Sequence, residues 1–578
     1  MKKRLRKTTY KPAEAAFNAA VLWSGHILGK LCRKYYIAAG PRGQRISERT
    51  LKGILRRSRN TELGRKYGFS DIKTPLEYQK AVPLSTYEDY KPYIRRMIDN
   101  GEQGLITGEK VLFFATTTGT ISEKKLMPQV LRSYMPYFKA LIMTADDMYE
   151  AMRRRGLNRR YGKSFITTEM GEENVGGGMK SGMISRFSAN GIKPFIPALV
   201  NQPGAIIGSS EIRDNRYVRA MYALKDRYLT CLGSVYMTGL TDIVAFIIEK
   251  QDMLIHDIET GTVDPSVDIS DRVRSIIERD ISPDPERAAE LREIFADPEG
   301  GNLLSRIWKD LSVVAAIGVE DFKPFSDTMR SMCDDGVSFC NLQYASSECF
   351  FGNVMGLEDE SVLLFPDAGF FEFIPVEEES DRPLFMHELE EGKLYEIILT
   401  SKAGLYRYQI RDVVRVTGFE GQIPYLEFAY RADKITNMCS VHLTGAQLAA
   451  AVNDLEKHIG IHIADHCIYA DAGHNKPRIE LFMEMSAADD TGLAEDCGVY
   501  SEVFDAALRK YGWDYAYFRE NGVVDKAVIY RVGQGTFRKY RDMQIAGGTS
   551  PNQLKALRVI DTQDVHEYFS SHIIASDQ

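Results

Sequence analysis

Three short polar segments, each of which follows or interrupts an apolar run typical of a β-strand, most constrain the fold of this 578-residue chain. They are residues 116–125 (TTTGTISEKK), residues 344–348 (YASSE) and residues 406–412 (YRYQIRD). Short apolar runs bounded by such loops are typical of buried strands. We therefore expect an α/β fold in which these loops carry the functional groups.

Composition and charge limit the class of protein. The chain is 44% hydrophobic and 26% charged, which provides ample material for a buried core. Its net charge of −7 argues against a general nucleic-acid-binding surface. The eight cysteines contain no CxxC pair, which favours reduced thiols in a cytoplasmic protein over a disulfide framework or a zinc site. The number and arrangement of subunits stay open.

The N-terminus is basic over residues 1–11 and fairly apolar over residues 13–32. This pattern resembles a signal peptide or membrane anchor, but the polar residues Glu14, Asn18, Ser24, His26 and Lys30 interrupt it. It is too interrupted for a membrane-spanning helix. We therefore predict an ordinary N-terminal helix, with Phe17, Val21, Leu28 and Leu31 on one stripe, and expect no membrane contact.

The remaining pattern predicts two domains. Helices are expected at residues 129–153, 236–255, within 271–295 with a break at 282–285, 447–457 and 501–511. Strands are expected at residues 110–115, 311–317, 369–374, 395–400, 405–410, 413–417, 458–470, 478–485 and 526–532, and residues 171–182 read as a mobile glycine-rich loop. Residues 362–419 are typical of a barrel or meander. The composition after residue 431 favours a small α+β domain.

The three segments offer groups suited to a nucleotide triphosphate. A loop rich in Gly, Ser and Thr directs N–H groups and hydroxyls at phosphate oxygens, and Lys125 adds a positive charge. Glu348 is a candidate Mg²⁺ ligand, and Asp412 a candidate partner for ribose hydroxyls. Each segment alone also fits a structural role: a polar turn, a capping acid, or an aspartate paired with a neighbouring arginine.

Two other patterns imitate known sites. Residues 156–164 resemble a phosphate-binding P-loop, but five residues separate the glycines instead of four. His458, His462 and His466 recur every four residues, as zinc ligands on a helix do, but isoleucines alternate with them, which favours a strand over a metal site. Neither pattern changes the prediction.

In order and spacing, the three segments resemble the nucleotide motifs of the auxin-responsive acyl-acid amido synthetase family, a branch of the adenylate-forming enzymes. Residues 126–128, 417–419, 431–435, 535–537 and 548–555 also resemble family motifs. The resemblance implies a large N-terminal α/β domain at residues 1–430, with βαβ subdomains and a barrel-like portion. It also implies a hinge at residues 431–434 and a small C-terminal α+β lid at residues 435–578.

The family's site residues carry over to matching positions. The resemblance implies ATP contacts at Thr117, Thr118, Gly119, Thr120, Ser122, Lys125, Tyr344, Ala345, Ser346, Ser347, Tyr406, Asp412 and Arg431. Glu348 would hold Mg²⁺, and Lys555 would reach a phosphate. The acyl substrate would lie near Tyr134, Phe138, Gly177 and Val235. The implied reaction is ATP-dependent adenylation of a small carboxylic acid, followed by acyl transfer to an amine, in particular an amino acid.

The sequence departs from the family at four positions. Ser122, Arg411 and Tyr430 stand where the family usually has glycine, and His442 stands where it tends to have a lysine. Glycine permits positive φ and close approach, so each replacement affects a site's geometry. A histidine, unlike a lysine, is largely neutral near pH 7. The catalytic cation is therefore expected at His442 or at Lys434.

Two alternatives remain open at this point. A ligase that forms a coenzyme A thioester would use the same adenylation site. A non-catalytic nucleotide- or acyl-binding relative would account for the lost glycines and for His442.

Overall fold

The computed structural model describes most of the chain. The described residues are 12–116, 125–157, 162–167, 173–185, 199–203, 215–297, 300–319, 322–376, 380, 382–431, 436–438, 441–443, 445–460, 462–471, 476–486, 497–547, 554 and 556–576. By its internal contacts the chain divides into two units. The N-terminal unit comprises residues 1–410 and 415–427, and the C-terminal unit comprises residues 411–414 and 428–578.

The helices of the N-terminal unit are α1 (Pro12–Ala39), α2 (Gly43–Ser58), α3 (Glu62–Lys66), α4 (Pro75–Ala81), α5 (Tyr87–Asn100), α6 (Leu131–Arg154), α7 (Asn215–Lys225), α8 (Met237–Glu249), α9 (Gln251–Thr260), α10 (Asp271–Asp280), α11 (Pro285–Phe295), α12 (Leu303–Ile307) and α13 (Lys323–Ser331). Short 3₁₀ turns occupy Gly40–Arg42 and Met386–Glu388. Among the described residues, no helix is both long and apolar enough to cross a bilayer.

The first sixteen strands are β1 (Val111–Thr116), β2 (Leu126–Val130), β3 (Ser164–Ile166), β4 (Glu173–Gly176), β5 (Met179–Gly182), β6 (Cys231–Tyr236), β7 (Val313–Ile317), β8 (Ser338–Cys340), β9 (Tyr344–Ala345), β10 (Phe350–Val354), β11 (Val362–Leu364), β12 (Phe370–Pro375), β13 (Leu384–Phe385), β14 (Leu394–Thr400), β15 (Tyr408–Glu420) and β16 (Ile423–Arg431). They form three sheets. One is four-stranded in the order β2-β1-β5-β4, a second is parallel in the order β3-β6-β7-β8, and the third has eight strands in the order β13-β12-β14-β15-β16-β11-β10-β9.

The parallel sheet packs against helices through the main apolar cluster of the N-terminal unit, which includes Leu232, Val314 and Phe339. Parallel strands are usually buried on both faces, which explains the continuous apolar runs in this part of the sequence. The predicted α/β class is confirmed. The segment predicted as one helix over residues 236–255 is two helices, α8 and α9, which separate at Lys250.

Local signals explain several helix boundaries. The Ser270 side chain caps α10, and the Asp284 side chain caps α11 with Pro285 at its first position. The predicted break at residues 282–285 is therefore confirmed. The segment predicted as mobile at residues 171–182 contains the antiparallel pair β4–β5, and the pair predicted at residues 405–410 and 413–417 is the single long strand β15.

The predicted N-terminal helix is confirmed as α1, which packs along α6. Its apolar stripe does not face inward, however. Phe17, Leu28 and Leu31 are exposed, and Val21 is half-buried. A helical period shows that apolar residues share a face but not which face the fold covers.

The C-terminal unit contains α14 (Gly445–Ile459), α15 (Cys497–Tyr511), α16 (Trp513–Glu520), α17 (Thr536–Ala546) and α18 (Gln563–Ser570), and strands β17 (Thr436–Met438), β18 (Val441–Leu443), β19 (Ile463–Asp471), β20 (Arg478–Met485), β21 (Val528–Val532), β22 (Val559–Ile560) and β23 (Ile573–Ser576). Its main sheet has the order β22-β19-β20-β21-β23. Alternate residues of β20 supply two cores: Leu481 packs on one face and Phe482 on the other. His458 ends α14 and so does not share the strand with His466.

Candidate functional site

The second polar segment forms a tight turn between β9 and β10, with Glu348 at its tip. The two strands pair antiparallel, with Ala345 opposite Phe350. The Ser346 N–H donates to the Cys349 carbonyl at 2.9 Å, and the Ser346 hydroxyl accepts from the Glu348 N–H at 3.2 Å. These bonds fix the backbone on both sides of Glu348, whose side chain is half-buried.

A hydrogen bond joins this turn to the first polar segment. The Ser347 hydroxyl donates to the carbonyl oxygen of Thr116 at 2.9 Å. Thr116 ends β1 and is the first residue of that segment. Two segments more than two hundred residues apart in sequence therefore meet in the fold, as the sequence predicted.

The β1–β2 pair holds both ends of the first segment. Thr116 lies opposite Leu126 in the ladder. The ammonium of Lys125 lies 5.7 Å from the centre of the Tyr87 ring, and the Leu126 N–H donates to the Tyr87 hydroxyl at 3.1 Å. Five predicted phosphate ligands lie outside the described residues: Thr117, Thr118, Gly119, Thr120 and Ser122. Lys125 is described, and its ammonium lies near the Tyr87 ring.

Gln129 and Tyr137 support the turn from β2 and α6. The Gln129 amide donates to the Ser347 carbonyl at 2.7 Å, and the Tyr137 hydroxyl donates to the Ser346 carbonyl at 3.2 Å. Gln129 is 2% exposed. Burial raises the pKa of Tyr137, which keeps its hydroxyl protonated as a donor. The sequence prediction did not include these two residues; the polar Gln129 at the end of an otherwise apolar strand was the available signal.

Behind the turn lies a small cavity lined by residues that include Gln129, Ser133, Tyr137, Glu348 and Lys402. Its volume is about 10 Å³, which is room for about one water molecule. Burial lowers the pKa of Lys402. A nucleotide does not fit there, so it would have to bind on the outer side of the turn.

Glu348 is suited to hold a hydrated Mg²⁺. The hairpin fixes its backbone, and its side chain is neither fully buried nor fully exposed. Magnesium usually keeps several waters and takes one or two protein carboxylates together with substrate phosphates. A single carboxylate close to the start of the segment predicted to bind phosphate therefore fits this ion.

Tyr344, in β9, stabilises the β9–β10 hairpin by packing against β10. Its ring stacks on Phe351, with ring centres 4.4 Å apart and planes 17° apart. Tyr344, Ala345 and Ser346 are half-buried, which leaves part of this strand accessible. An aromatic face at this position offers a stacking surface for a planar base.

The third segment begins in the core. Tyr406 is 1% exposed, and its hydroxyl donates to the Ile106 carbonyl at 2.8 Å. Its N–H donates to the Tyr90 hydroxyl at 2.7 Å. The structure therefore does not support the predicted ATP contact of Tyr406, because its polar atoms are already bonded within the protein and its side chain is enclosed.

Arg407 and Glu372 form a buried ion pair that the sequence prediction missed. Both are nearly inaccessible, and the Arg407 Nε lies 3.1 Å from each Glu372 carboxylate oxygen. Arg407 also donates to the carbonyls of Gln79 and Val82 at 2.9 and 2.8 Å. These bonds hold the start of β15 although Arg407 has a φ of 47°.

Asp412 lies within β15 and is 6% exposed. The residue before it, Arg411, has a φ of 68°, which is the left-handed region that favours glycine. The family pattern places a glycine here. Arg411 therefore adopts a backbone conformation that a glycine would adopt without strain.

The predicted acyl-site residues lie on three elements. Tyr134 and Phe138 are half-buried on one face of α6, with ring centres 6.4 Å apart. Gly177 turns the β4–β5 hairpin with a φ of 55°, and an added Cβ would lie 2.7 Å from the Ile98 carbonyl oxygen. Val235 is half-buried near the end of β6. Their shared role in substrate binding stays a prediction.

The C-terminal predictions are only partly described. His442 pairs with Asn437 in the β17–β18 ladder, and Arg431 ends β16. Lys434 and Lys555 lie outside the described residues. The N–H groups of Gly535 and Phe537 donate to the Glu484 carboxylate at 2.8 and 3.1 Å, so the segment at residues 535–537 that resembles a family motif already has an anionic partner within its own unit.

Three domains of one protein family match most of the chain. The GH3 family N-terminal domain matches residues 39–337, the GH3 family central domain matches residues 362–431, and the GH3 family C-terminal domain matches residues 446–564. The separate central domain was not predicted.

Curated relatives and solved structures support the same family. The indole-3-acetic acid-amido synthetase GH3.8 of Oryza sativa subsp. indica is 26% identical, over 92% of this chain and 90% of its own length. The indole-3-acetic acid-amido synthetase GH3.4 of Arabidopsis thaliana is 25% identical, over 92% of both. The structure of AtGH3.15 acyl acid amido synthetase in complex with 2,4-DB has a TM-score of 0.85 over 95% of this chain and 97% of that chain, at 22% identity. The chain belongs to the GH3 family, the acyl-acid amido synthetase branch of the adenylate-forming enzymes.

Proposed function

We propose that the protein is a carbon–nitrogen ligase that uses ATP and Mg²⁺ to join a small carboxylic acid to an amine, in particular an amino acid. The hydrogen bond from Ser347 to the Thr116 carbonyl is the observation that carries this proposal. It brings the predicted metal ligand, the predicted adenine-side strand and the start of the phosphate loop to one place.

In the first step, a carboxylate oxygen of the acid attacks the α-phosphorus of ATP. The bond to the β-phosphate bridging oxygen breaks, and the products are an acyl adenylate and pyrophosphate. Activation is needed because a carboxylate is a poor electrophile. The protein contributes mainly positioning and charge neutralisation, through residues 116–125 for phosphate oxygens and Asp412 for the ribose hydroxyls.

Glu348 would hold Mg²⁺, which supplies neutralisation of the charge that develops on the phosphate oxygens. Lys125 would add a second positive charge. Its ammonium lies over the Tyr87 ring, which limits the volume that this flexible side chain explores.

In the second step, the amine nitrogen attacks the acyl carbonyl carbon and AMP leaves as the acyl–oxygen bond breaks. The nitrogen loses one proton, and an amide forms. We propose that residues 431–434 act as a hinge between the steps, and that His442 or Lys434 provides the cation for adenylation. His442→Lys and His442→Ala separate these choices: turnover unchanged in both variants assigns the role to another residue.

The protein is proposed to work in the cytoplasm. The structure shows no disulfide among the described cysteines, and six of these are buried. Buried reduced thiols fit a reducing compartment.

The test is pyrophosphate release by the full chain across a panel of carboxylic acids, with and without amino acids. We expect release that depends on the acid, and an amide product that depends on the amino acid. Glu348→Gln should lower release by roughly a hundredfold or more, because phosphate charge is no longer neutralised. Glu360→Gln, at an exposed carboxylate, is the matched control.

Two outcomes would contradict the proposal. A product that forms only with coenzyme A would indicate a thioester ligase. Nucleotide binding without acid-dependent pyrophosphate release would indicate a non-catalytic relative.

A further inference from the structure

Helix α1 is apolar around most of its circumference, yet the fold covers only one side of it. The covered side packs on α6. An added Cβ at Gly25 would lie 2.7 Å from the Ala145 Cβ, and one at Gly29 would lie 2.5 Å from the Ile142 carbonyl oxygen. The two helices therefore approach closely through glycines, which leaves little freedom for α1 to turn.

Polar contacts fix the same side. His26 Nδ1 lies 2.7 Å from Asp146 Oδ1, and Arg33 donates to Asp146 at 3.1 Å and to Asp147 at 2.6 Å. The His26 ring also stacks on Tyr149, with ring centres 4.0 Å apart. Because these groups are buried and paired, the orientation of α1 is set by the N-terminal unit itself.

The opposite side carries an outer stripe, which we define as Trp23, Ile27, Leu28 and Leu31. Their exposed fractions are 60, 41, 47 and 57%. Trp23, Ile27 and Leu31 follow one another at a spacing of four residues and so share a helix face. Ala16, Ala19 and Ala20 are also exposed and extend this apolar surface toward the N-terminus. A contiguous exposed apolar surface of this kind usually marks an interaction site.

In the sequence, the segment that precedes α1 is strongly basic. The eleven residues that precede α1 include no acid, and six of them are basic: Lys2, Lys3, Arg4, Arg6, Lys7 and Lys11. Lys34 is exposed near the other end of the helix. This concentration contrasts with the net charge of −7 of the whole chain.

In contrast to the expectation of no membrane contact drawn from the sequence, we propose that α1 docks on an anionic lipid bilayer, with its axis in the plane of the surface and the outer stripe among the lipid headgroups and upper acyl chains. Helices that bind membranes in this way combine an apolar face that contains Trp or Leu with basic residues that attract anionic lipids. At 1.5 Å per residue, the 28 residues of α1 present a line of contact about 42 Å long.

A second copy of the chain fits the stripe less well. The single carboxylate of α1, Glu14, already pairs with Lys163. Another α1 therefore offers no partner for the basic segment, whereas an anionic bilayer neutralises it. This surface is independent of the amide-forming reaction, and it places the enzyme where amphiphilic acids partition.

The experiment is co-sedimentation of the full chain with vesicles. One set contains phosphatidylcholine alone, and the other contains equal parts of phosphatidylcholine and phosphatidylglycerol. We expect binding to the second set only. Salt at about 1 M, where the Debye length is about 3 Å, should weaken binding by roughly tenfold.

Two variants test the two contributions. Trp23→Glu combined with Leu31→Glu should lower the partition coefficient by roughly tenfold or more, because each places a charge in the apolar contact. Lys2→Gln, Lys3→Gln and Arg4→Gln together should lower it to a similar extent and reduce its salt dependence. Leu76→Glu is the matched control, since Leu76 is 49% exposed and lies on α4.

Pyrophosphate release by each variant shows whether the enzyme remains folded. Light scattering without lipid decides between the partners. A wild-type dimer that becomes a monomer in the Trp23→Glu, Leu31→Glu variant would assign the stripe to a second copy and overturn the proposal. Equal binding by wild type and this variant, or no binding to anionic vesicles, would also overturn it.

Discussion

Ser347 donates a hydrogen bond of 2.9 Å to the carbonyl oxygen of Thr116, and this bond joins the hairpin that carries Glu348 to β1, the strand that precedes the proposed phosphate-binding loop. Each partner has further support. Thr116 lies opposite Leu126 in the β1–β2 ladder, and the Ser347 carbonyl accepts from Gln129. The geometry of the proposed nucleotide site therefore depends on residues that need not touch the nucleotide.

Gln129→Leu tests this positioning. The substitution removes the side-chain donor to the carbonyl of the half-buried Ser347, which costs about 1 kcal/mol. We expect catalytic efficiency for ATP to fall by roughly tenfold, with the acid and the amine at saturation. The rate of pyrophosphate release, measured over a range of ATP concentrations, gives this catalytic efficiency.

Gln447→Leu is the control for this variant. Gln447 likewise donates to a backbone carbonyl, that of Tyr511 at 2.9 Å, but within the C-terminal unit. It should lower stability by a similar amount and leave ATP kinetics unchanged. Equal kinetic effects of the two substitutions would show that Gln129 acts only through stability.

Arg411→Gly should stabilise the protein. Arg411 has a φ of 68°, and the left-handed region costs a residue with a Cβ about 1 to 2 kcal/mol. Glycine removes this strain, although its unfolded state is more flexible, so we expect a net gain of about 1 kcal/mol. Urea denaturation measures the change in the free energy of unfolding, if it is monitored by a spectroscopic signal from the C-terminal unit, to which Arg411 belongs.

Gln409→Gly provides the comparison, because this neighbour in β15 has no positive φ. Glycine there should destabilise the strand by about 0.5 to 1 kcal/mol. Loss of stability in both variants would mean that the Arg411 side chain contributes more than its backbone strain costs.

Arg407→Met should destabilise the N-terminal unit strongly. It leaves the Glu372 carboxylate buried without its cation, and breaking a buried ion pair in this way costs about 3 to 5 kcal/mol. Adding Glu372→Gln should restore part of the loss, since the remaining group is then neutral. Denaturant unfolding of Arg407→Met and of the double variant measures how much of the lost free energy of unfolding is restored.

A surface pair provides the matched control. Arg292 pairs with Glu259, and their side chains are 51 and 36% exposed. Arg292→Met should cost much less stability than Arg407→Met, because solvent screens the charge that remains. A comparable loss from both substitutions would argue that the aliphatic part of arginine, not its charge, stabilises the fold.

Asp147 should make stability depend on pH. Burial raises the pKa of its carboxyl from 3.8 to about 6, against the opposing effect of Arg33. Between these values the folded state binds more protons than the unfolded state, so stability falls as pH rises from about 4 to about 6 and then levels off. Because one pKa unit corresponds to about 1.4 kcal/mol, this shift changes the free energy of unfolding by roughly 3 kcal/mol across the interval.

Asp147→Asn removes this titration. Unfolding measured at several pH values should give parallel curves outside the interval from about 4 to 6 and a flatter curve for the variant within it. Identical slopes for both proteins would mean that the pair with Arg33 keeps Asp147 ionised throughout.

The sequence predicted the chemistry better than the geometry. Apolar runs located β1, β7 and β20, and the Ser-Pro-Asp-Pro segment at residues 282–285 located the break between α10 and α11, because these signals are local. Resemblance of the polar segments to a known family made Ser347 and Glu348 candidate site residues, and their roles stay predictions. Long-range packing was not available, so the sequence did not show that Gln129 and Tyr137 support the turn.

Burial explains the main errors. Tyr406 stands next to polar residues in sequence, and a tyrosine is equally suited to bind a ligand or to pack in a core. Only the fold shows that its hydroxyl bonds to Ile106. Glu372 was likewise overlooked, because a single acid in an apolar strand acquires meaning only when Arg407 is brought beside it.

The pairing of Thr116 with Leu126 has a consequence for how the enzyme can vary. Since these two residues are neighbours across the ladder, the sheet holds together the two ends of the nine-residue connection between them without a nucleotide. The entropy cost of bringing these ends together is therefore not part of the cost of binding a ligand. Insertions or deletions between the two residues should therefore change which phosphates are reached while leaving the surrounding sheet intact.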